Sequence, residues 1–147
     1  MYYSIDKSII RNLIDEEVSK VADEAYGENG ASLYDSIVLT EKDDDFVDRL
    51  VDESVRGLVT RTFDIYKFAQ NDTAGNARLL FYVPDFDETM ESSVTSEINN
   101  FLALSTCAGI FQSRRPQAVQ EYTERAKASV EKAVTLLKSR KSPIAIW

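Results

Sequence analysis

The sequence TEKDDDFVDRLVDESVRGLV, residues 40–59, indicates the fold class, because acidic residues open it and apolar residues then recur at helical spacing. Thr40 suits the N-cap position of a helix, and acids in a first turn interact favourably with the helix dipole. The apolar face continues to Tyr66, which predicts a rod of about six turns and about 35 Å. Gly57 lies inside this helix and predicts a close crossing with a neighbouring helix. The predicted face consists of Phe46, Val47, Leu50, Val51, Leu58, Val59, Thr62, Phe63 and Tyr66.

A further helix is predicted before this one. Apolar side chains recur three or four positions apart over residues 5–26, which is typical of an amphipathic helix. The stretch GENG begins with Gly27 and predicts that the helix stops there. Residues 28–39 are then predicted to be a linker, with a short extended run at residues 37–39.

Two more helices are predicted towards the end of the chain. One covers residues 88–112 after an N-cap at Asp85 or Asp87. The other covers residues 116–139, and Pro116 suits its first position because proline lacks the amide hydrogen that would be unpaired there.

An extended element interrupts the helical pattern. The apolar run LLFYV, residues 79–83, is ended by Pro84 and reads as a short buried strand. The run DIYKF, residues 64–68, precedes a polar turn and can pair with LLFYV as a small hairpin. The fold class is therefore predicted to be mainly α, an antiparallel bundle of about four helices with a short extended element near residues 79–83.

Length and composition predict one domain, residues 1–138, followed by a terminal arm, residues 139–147. The chain has 147 residues, of which 44% are apolar, as expected for a single folded domain. It has no His and one Cys, which excludes His-dependent triads, the common zinc sites and an internal disulfide. Cys107 lies in the apolar run FLALSTCAGIF and is predicted to be a buried apolar residue.

The sequence contains neither the pattern of a signal peptide nor an apolar run of the roughly 18 residues that a membrane helix requires. We therefore expect a protein without a membrane span that is intracellular or part of a particle. The acidic composition, with net charge -8, argues against non-specific binding to nucleic acid, because phosphate contacts require clustered Lys and Arg.

Candidate metal-binding and catalytic groups are few. Asp43, Asp44 and Asp45 suggest a divalent-cation site, because hard cations take several oxygen ligands. Adjacent helical residues point about 100° apart, so the favoured interpretation is a helix start. The other carboxylates lie on polar faces or at helix starts, and the usual phosphate, dinucleotide and nucleophile motifs are missing. We expect no catalytic residue, no cofactor and no metal site.

The aromatic residues near the start of the chain and around the predicted hairpin offer a candidate binding platform. Core and interface packing is the favoured interpretation, because the local pattern lacks the interleaved basic residues of nucleic-acid stacking surfaces. The residues are Tyr2, Tyr3, Tyr66, Phe68, Phe81, Tyr82 and Phe86.

Charge is distributed unevenly along the chain. Residues 1–112 contain 22 acids and 9 bases, and residues 113–147 contain 3 acids and 8 bases. The net charges of these two segments are therefore -13 and +5. An acidic body and a basic terminal segment can associate head to tail between copies, although a solvated basic helix remains an alternative.

The terminal arm carries the most informative apolar residues. Pro143 bars continuation of the last helix, and an apolar tetrapeptide follows it. This tetrapeptide either folds back on its own bundle or anchors in a groove of another subunit, where aromatic contacts dominate binding energy. The predicted partner interface is Arg114, Arg115, Arg140, Lys141, Pro143, Ile144, Ile146 and Trp147.

Residues 40–59, and the closing helix followed by SRKSP at residues 139–143, resemble a family of virion proteins. These are the helical head-to-tail connector proteins of long-tailed bacteriophages, also called head-completion adaptors or neck proteins, some of them from phages of gut Bacteroides. The resemblance covers residues 40–66 and 116–143. It implies a small helical bundle that forms a ring, commonly dodecameric, beneath the portal. It also implies that the terminal segment docks on the portal or a neighbouring subunit, and it carries no catalytic residues over.

The leading functional hypothesis is therefore a virion structural protein of the head–tail connector or neck, which binds copies of itself and a portal or tail protein. The alternative is an acidic regulatory or inhibitory protein that engages a basic partner. An enzyme is the third hypothesis.

Overall fold

The computed structural model describes residues 1–71, 73 and 76–139, and this part of the chain is mainly helical, as predicted. Its four long helices and one short helix accompany a three-stranded antiparallel sheet. The strands are β1 (Tyr2–Ser4), β2 (Tyr66–Asn71) and β3 (Ala77–Phe81). The helices are α1 (Lys7–Asn29), α2 (Ala31–Ile37), α3 (Asp44–Arg61), α4 (Glu91–Arg114) and α5 (Val119–Leu137).

Helix α4 is the centre of the core. Its buried side chains are distributed around the helix rather than along one stripe, so it is covered by α1, α3 and α5 on different sides. They are Val94, Ile98, Phe101, Leu102, Ala103, Leu104, Thr106, Cys107, Ala108, Ile110 and Phe111.

Contacts with α4 fix the direction of the other long helices. Ser54 near the middle of α3 hydrogen-bonds Ser105, whereas Arg61 at the end of α3 lies over the Phe101 ring, so α3 is antiparallel to α4. The α5 helix follows α4 through a short 3₁₀ turn and returns along it, with Lys132 paired to Glu97 at 3.3 Å. Lys7 and Arg11 of α1 pair with Asp52 and Asp44 of α3, so α1 is antiparallel to α3. Successive long helices therefore alternate in direction, which confirms the antiparallel bundle.

The predicted hairpin is present, and a third strand extends it. β2 and β3 pair antiparallel, with Phe68 opposite Leu80, and β1 pairs with the other edge of β3. The first helix was predicted to begin at residue 5, whereas α1 begins at Lys7 and the strand β1 precedes it. Tyr3 of β1 is buried, and its hydroxyl donates a hydrogen bond to Asn99 of α4, which ties the sheet to the bundle.

The predicted helix starts are confirmed at two places. Thr40 accepts a hydrogen bond from the Lys42 amide, and Asp43 accepts one in return from the Thr40 amide at 2.9 Å. This reciprocal capping opens a 3₁₀ turn that leads into α3. Asp87 likewise accepts from the Thr89 amide at 3.1 Å just before α4.

The prediction that one helix extends to Tyr66 is wrong. Helix α3 ends at Arg61, and the Thr62 carbonyl accepts hydrogen bonds from the Ile65 and Tyr66 amides, which turns the chain into β2. Phe63 consequently leaves the apolar face and is 77% exposed. The hairpin strand that is also predicted at residues 64–68 therefore takes precedence over the helical spacing of Thr62, Phe63 and Tyr66.

The predicted linker at residues 28–39 is also wrong in part, because it contains α2. The first helix continues to Asn29, and Gly30 with φ of 76° separates it from α2. Residues Leu33, Tyr34 and Ile37 have helical spacing and pack against the core. Of the run IVL, Ile37 is the last residue of α2, whereas Val38 follows it with extended backbone.

The two glycines of the bundle interior have opposite surroundings. No atom of a neighbouring element lies within 4 Å of the position that a Cβ at Gly57 would take, so the predicted close crossing at this residue is wrong. The close approach is instead at Gly109, where a Cβ would lie 3.2 Å from Cδ2 of Leu50.

We expect Gly57→Ala to raise the free energy of unfolding by up to about 1 kcal/mol, because alanine favours helix and meets nothing here. Gly109→Ala should raise the free energy of unfolding by less than Gly57→Ala does, or should lower it, because the Leu50 side chain must move to admit the methyl group. Urea unfolding of both variants measures the difference. An equal gain at the two positions would contradict the packing at Gly109.

Candidate functional site

The outer face of the small sheet is the surface where exposed aromatic and basic side chains meet. Leu79 and Phe81 of β3 are buried against the helices. Since side chains alternate along a strand, Arg78 and Leu80 lie on the opposite face. Tyr2 of β1 pairs directly with Leu80 and is 51% exposed. We call this surface the outer sheet face, which comprises Tyr2, Lys67, Arg78, Leu80 and Tyr82.

Two cations lie over aromatic rings on the outer sheet face. The Arg78 guanidinium carbon is 4.3 Å from the centre of the Tyr2 ring, and Lys67 Nζ is 5.7 Å from the centre of the Tyr82 ring. Such pairs are attractive because the face of an aromatic ring is electron-rich. The expectation that these aromatic residues lack basic neighbours is therefore wrong for Tyr2 and Tyr82.

Four of the remaining members of the aromatic set belong to the core, which confirms the favoured interpretation for these residues. Tyr3 and Phe81 are buried, while Tyr66 and Phe86 are half-buried and pack against the core. The side chain of Phe68 lies outside the described part of the structure. Strand alternation thus divides one aromatic-rich segment into a buried set and an exposed set.

The outer sheet face lies at one end of the bundle, where α1 and α4 begin and α3 and α5 end; we call this the sheet end. Phe63 belongs to the turn after α3, and the Tyr82 amide donates to the Ile65 carbonyl in the same turn at 2.8 Å. Lys138 at the end of α5 pairs with Asp64 of that turn at 3.0 Å. The terminal arm therefore begins beside exposed aromatic residues.

The structure describes only part of the predicted partner interface. Six of its residues lie outside the described part of the chain, so their part in an interface stays a prediction. They are Arg140, Lys141, Pro143, Ile144, Ile146 and Trp147. Arg114 and Arg115 are described, and both contact groups of their own chain.

Arg114 holds the connection between α2 and α3. Its guanidinium donates to the Val38 carbonyl at 2.9 Å, to the Ile37 carbonyl at 3.4 Å and to Asp43 Oδ1 at 2.7 Å. The Thr40 amide and then Arg114 lower the pKa of Asp43 below its ordinary value. Arg114 therefore satisfies backbone carbonyls at the end of a helix as well as forming an ion pair.

Arg115 lies at the break between α4 and α5 and is largely buried. Its Nη2 pairs with Glu28 Oε2 at 2.8 Å, which connects this break to the end of α1. Its Nε and Nη1 face the Gln117 amide oxygen at 3.2 and 2.8 Å when that amide is oriented to accept. The two adjacent arginines thus fasten different segments to the end of α4.

Pairing within the chain uses much of the charge asymmetry. Five ion pairs of the described residues join a base of residues 113–139 to an acid of residues 1–112, so the acidic and basic segments already attract each other inside one chain. The pairs are Arg114 with Asp43, Arg115 with Glu28, Arg125 with Glu17, Lys132 with Glu97 and Lys138 with Asp64.

Glu17 forms a polar cluster between α1 and α5. It accepts hydrogen bonds from the Tyr122 hydroxyl at 2.7 Å and from the Arg125 guanidinium at 3.1 and 3.2 Å. Burial opposes its charge, but the bonds from Arg125 and Tyr122 outweigh burial and lower the pKa of Glu17. Burial, followed by the bond to Glu17, raises the pKa of Tyr122. The carboxylate is therefore held ionised as a structural group.

Cys107 and the aspartate run have the structural roles that the sequence analysis favoured. Cys107 is fully buried between α4 and α1, and burial raises the pKa of its thiol. Asp43 caps the helix start, and Asp44 pairs with Arg11 at 2.8 Å. The helix-start interpretation of this run is confirmed.

Three further findings concern possible cofactors, membranes and relatives. Among the residues that the structure describes, no group of three or more Asp, Glu, Cys or His is arranged to hold a metal ion. No helix in the described ranges has the length and apolar character needed to cross a bilayer. No protein-family model, curated protein or solved structure matches the chain.

We expect Arg114→Ala to lower the free energy of unfolding by about 2 to 3 kcal/mol, because it removes the charged donor to two backbone carbonyls and to Oδ1 of Asp43. Arg56→Ala, at an exposed position of α3, is the matched control and should change stability by less than about 0.5 kcal/mol. Urea unfolding followed by circular dichroism measures both variants. Unchanged stability of Arg114→Ala would contradict its role within the fold.

The Glu17 cluster predicts a dependence of stability on pH. Its folded-state pKa is lower than that of the unfolded chain, so its contribution is complete above the ordinary pKa of 4.5 and is lost as pH falls through the folded value. Glu17→Gln should lower the free energy of unfolding by about 1 to 2 kcal/mol at neutral pH. The cost should shrink in acid. Glu16→Gln, at the exposed neighbouring position, should show no such trend in unfolding curves from pH 7 to pH 3.

Proposed function

We propose that this protein is a structural subunit of a virion, a head–tail connector or neck protein of a long-tailed phage. It binds copies of itself, as a ring, and a portal or tail protein. The resemblance of residues 40–66 and 116–143 to that family supports this role. A small antiparallel helical bundle is also the architecture that the resemblance implies.

The observation that carries the proposal is the concentration of exposed aromatic side chains at the sheet end. Tyr2, Phe63 and Tyr82 are 51%, 77% and 57% exposed. Large aromatic residues contribute most of the binding energy in many protein interfaces, and grouped exposed apolar residues mark such contacts. The terminal arm, with its apolar tetrapeptide, starts from the same end.

The ion pairs within the chain change how assembly is expected to work. Head-to-tail attraction between an acidic body and a basic segment weakens if those charges are already paired in each subunit. We therefore infer that contacts between copies depend on the aromatic residues of the sheet end more than on net charge. Such contacts are less sensitive to salt than exposed charge pairs are.

One observation favours the second candidate, an acidic regulatory protein. Acidic side chains follow a single stripe along the outside of α3 and its preceding turn, at positions three or four apart. The stripe is Glu41, Asp45, Asp48 and Asp52, all of them exposed. A basic partner would bind this stripe electrostatically, and its complex would weaken strongly as salt is added.

We expect Phe63→Ser to weaken binding to the portal or tail protein encoded beside this chain, and to weaken self-association, by tenfold or more, a loss of about 1.4 kcal/mol. Stability should change little, because Phe63 is exposed. Tyr26→Ser is the matched control, since Tyr26 is 57% exposed but lies near the opposite end of α1. Analytical ultracentrifugation and titration with the purified partner measure both effects.

Two results would contradict the virion role. One is a genomic neighbourhood without portal, capsid or tail genes. The other is binding of a basic partner by the monomer, provided that this binding is lost under two conditions. One is about 0.5 M salt, where charges are screened beyond about 4 Å. The other is replacement of Asp45 and Asp48 by Asn. That result would favour the regulatory candidate.

A further inference from the structure

An open groove runs between α3 and α5 over the surface of α4. Its floor includes Phe101, Ser105 and Ala108 of α4. The groove consists of two adjoining cavities of about 350 and 400 Å³. Gly57 and Arg61 line it on the α3 side, and residues of both cavities line it on the α5 side. Those α5 residues are Thr123, Ala126, Val130, Val134 and Thr135.

Small residues keep the groove open. A Cβ at Gly57 would meet no atom within 4 Å, although Gly57 lies inside a helix of the bundle. Arg61 lines both cavities, and its guanidinium lies over the Phe101 ring, so the cavities join at this residue. Glu53 and Glu131 lie on the lips of the groove, on α3 and α5 respectively.

The described chain ends at the mouth of this groove. Ser139 Oγ donates to the carbonyl of Thr135, a groove residue one helical turn earlier, at 3.2 Å. The Ser139 carbonyl accepts from the Asp87 amide at 3.3 Å, and the Lys138–Asp64 ion pair joins the ends of α5 and α3. The residues that follow therefore start within one turn of the groove.

The arm has the length and the chemistry to fill the groove. Eight residues, 140–147, span up to about 26 Å, whereas the groove from Thr135 to Ala126 runs about 13 Å along α5. Ser142 and Pro143 favour a turn, which would reverse the chain. Arg140 and Lys141 carry charge opposite to that of Glu53 and Glu131, and residues 144–147, IAIW, are apolar, like the floor residues Phe101 and Ala108.

We propose that residues 143–147 of the same chain dock in the groove between α3 and α5 in the free subunit. The short connection gives the arm a high effective concentration at its own groove, of the millimolar order for short flexible linkers. This proposal is independent of the virion role, since it concerns the isolated chain. In a virion, the same groove would hold the arm until a partner displaces it.

Trp147 is the only tryptophan of the chain, so its fluorescence reports on the arm alone. We expect the full chain, at concentrations where ultracentrifugation finds a monomer, to emit at short wavelength and to resist quenching by acrylamide. Gly57→Leu places a branched side chain in the groove, and its Cβ meets no atom of a neighbouring element within 4 Å. It should shift the emission to longer wavelength and raise the quenching constant to that of an exposed tryptophan.

Gly27→Leu is the matched control, because Gly27 is also helical with no atom within 4 Å of its Cβ position and it does not line the groove. It should leave emission and quenching unchanged. Circular dichroism checks that both variants remain helical. Phe63→Ser should likewise leave the emission unchanged, because Phe63 lies outside the groove.

Four outcomes would overturn the proposal. Emission of the unaltered monomer at long wavelength would show that the arm is not docked. Short-wavelength emission that Gly57→Leu leaves unchanged would place the arm outside the groove. Loss of the short-wavelength emission in Phe63→Ser would place the arm at the sheet end. Short-wavelength emission that appears only as the protein dimerises would assign the groove to the arm of a second copy.

Discussion

Burial of α4 is the constraint on which the rest of the structure depends. Apolar side chains surround most of this helix, so no single partner can remove them from water. Helices α1, α3 and α5 each cover one side, and the sheet covers the beginning of the helix through Tyr3 and Asn99. The groove between α3 and α5 is the place where this covering is incomplete, and it therefore follows from the same constraint.

The second organising feature is the set of ion pairs that join the end of the chain to its body. Arg114 and Arg115 both lie at the junction of α4 and α5, yet one holds the α2–α3 connection and the other holds the end of α1. Arg114 also satisfies carbonyls that the end of α2 leaves unpaired. Basic residues that the sequence suggests are available to a partner are thus paired with acidic residues of the same folded chain.

Much of the fold could be predicted from the sequence, because its helices have amphipathic faces and recognisable caps. Thr40 and Asp87 cap as expected, and Cys107 is buried. The candidate site was less accessible to prediction. Tyr2 and Tyr82 acquire cationic neighbours only when β1, β2 and β3 pair, and Phe63 becomes exposed only because α3 stops at Arg61. These features depend on contacts between residues far apart in sequence.

The sequence by itself determined the mainly helical class, the antiparallel hairpin and the burial of the apolar faces, since these follow from local spacing and turn residues. Only the tertiary structure decided which aromatic side chains face solvent, where the basic residues of the last segment find their partners, and which glycine permits a close contact. The physical reason is that exposure and pairing depend on distances across the bundle, whereas periodicity records only neighbours along one helix or strand.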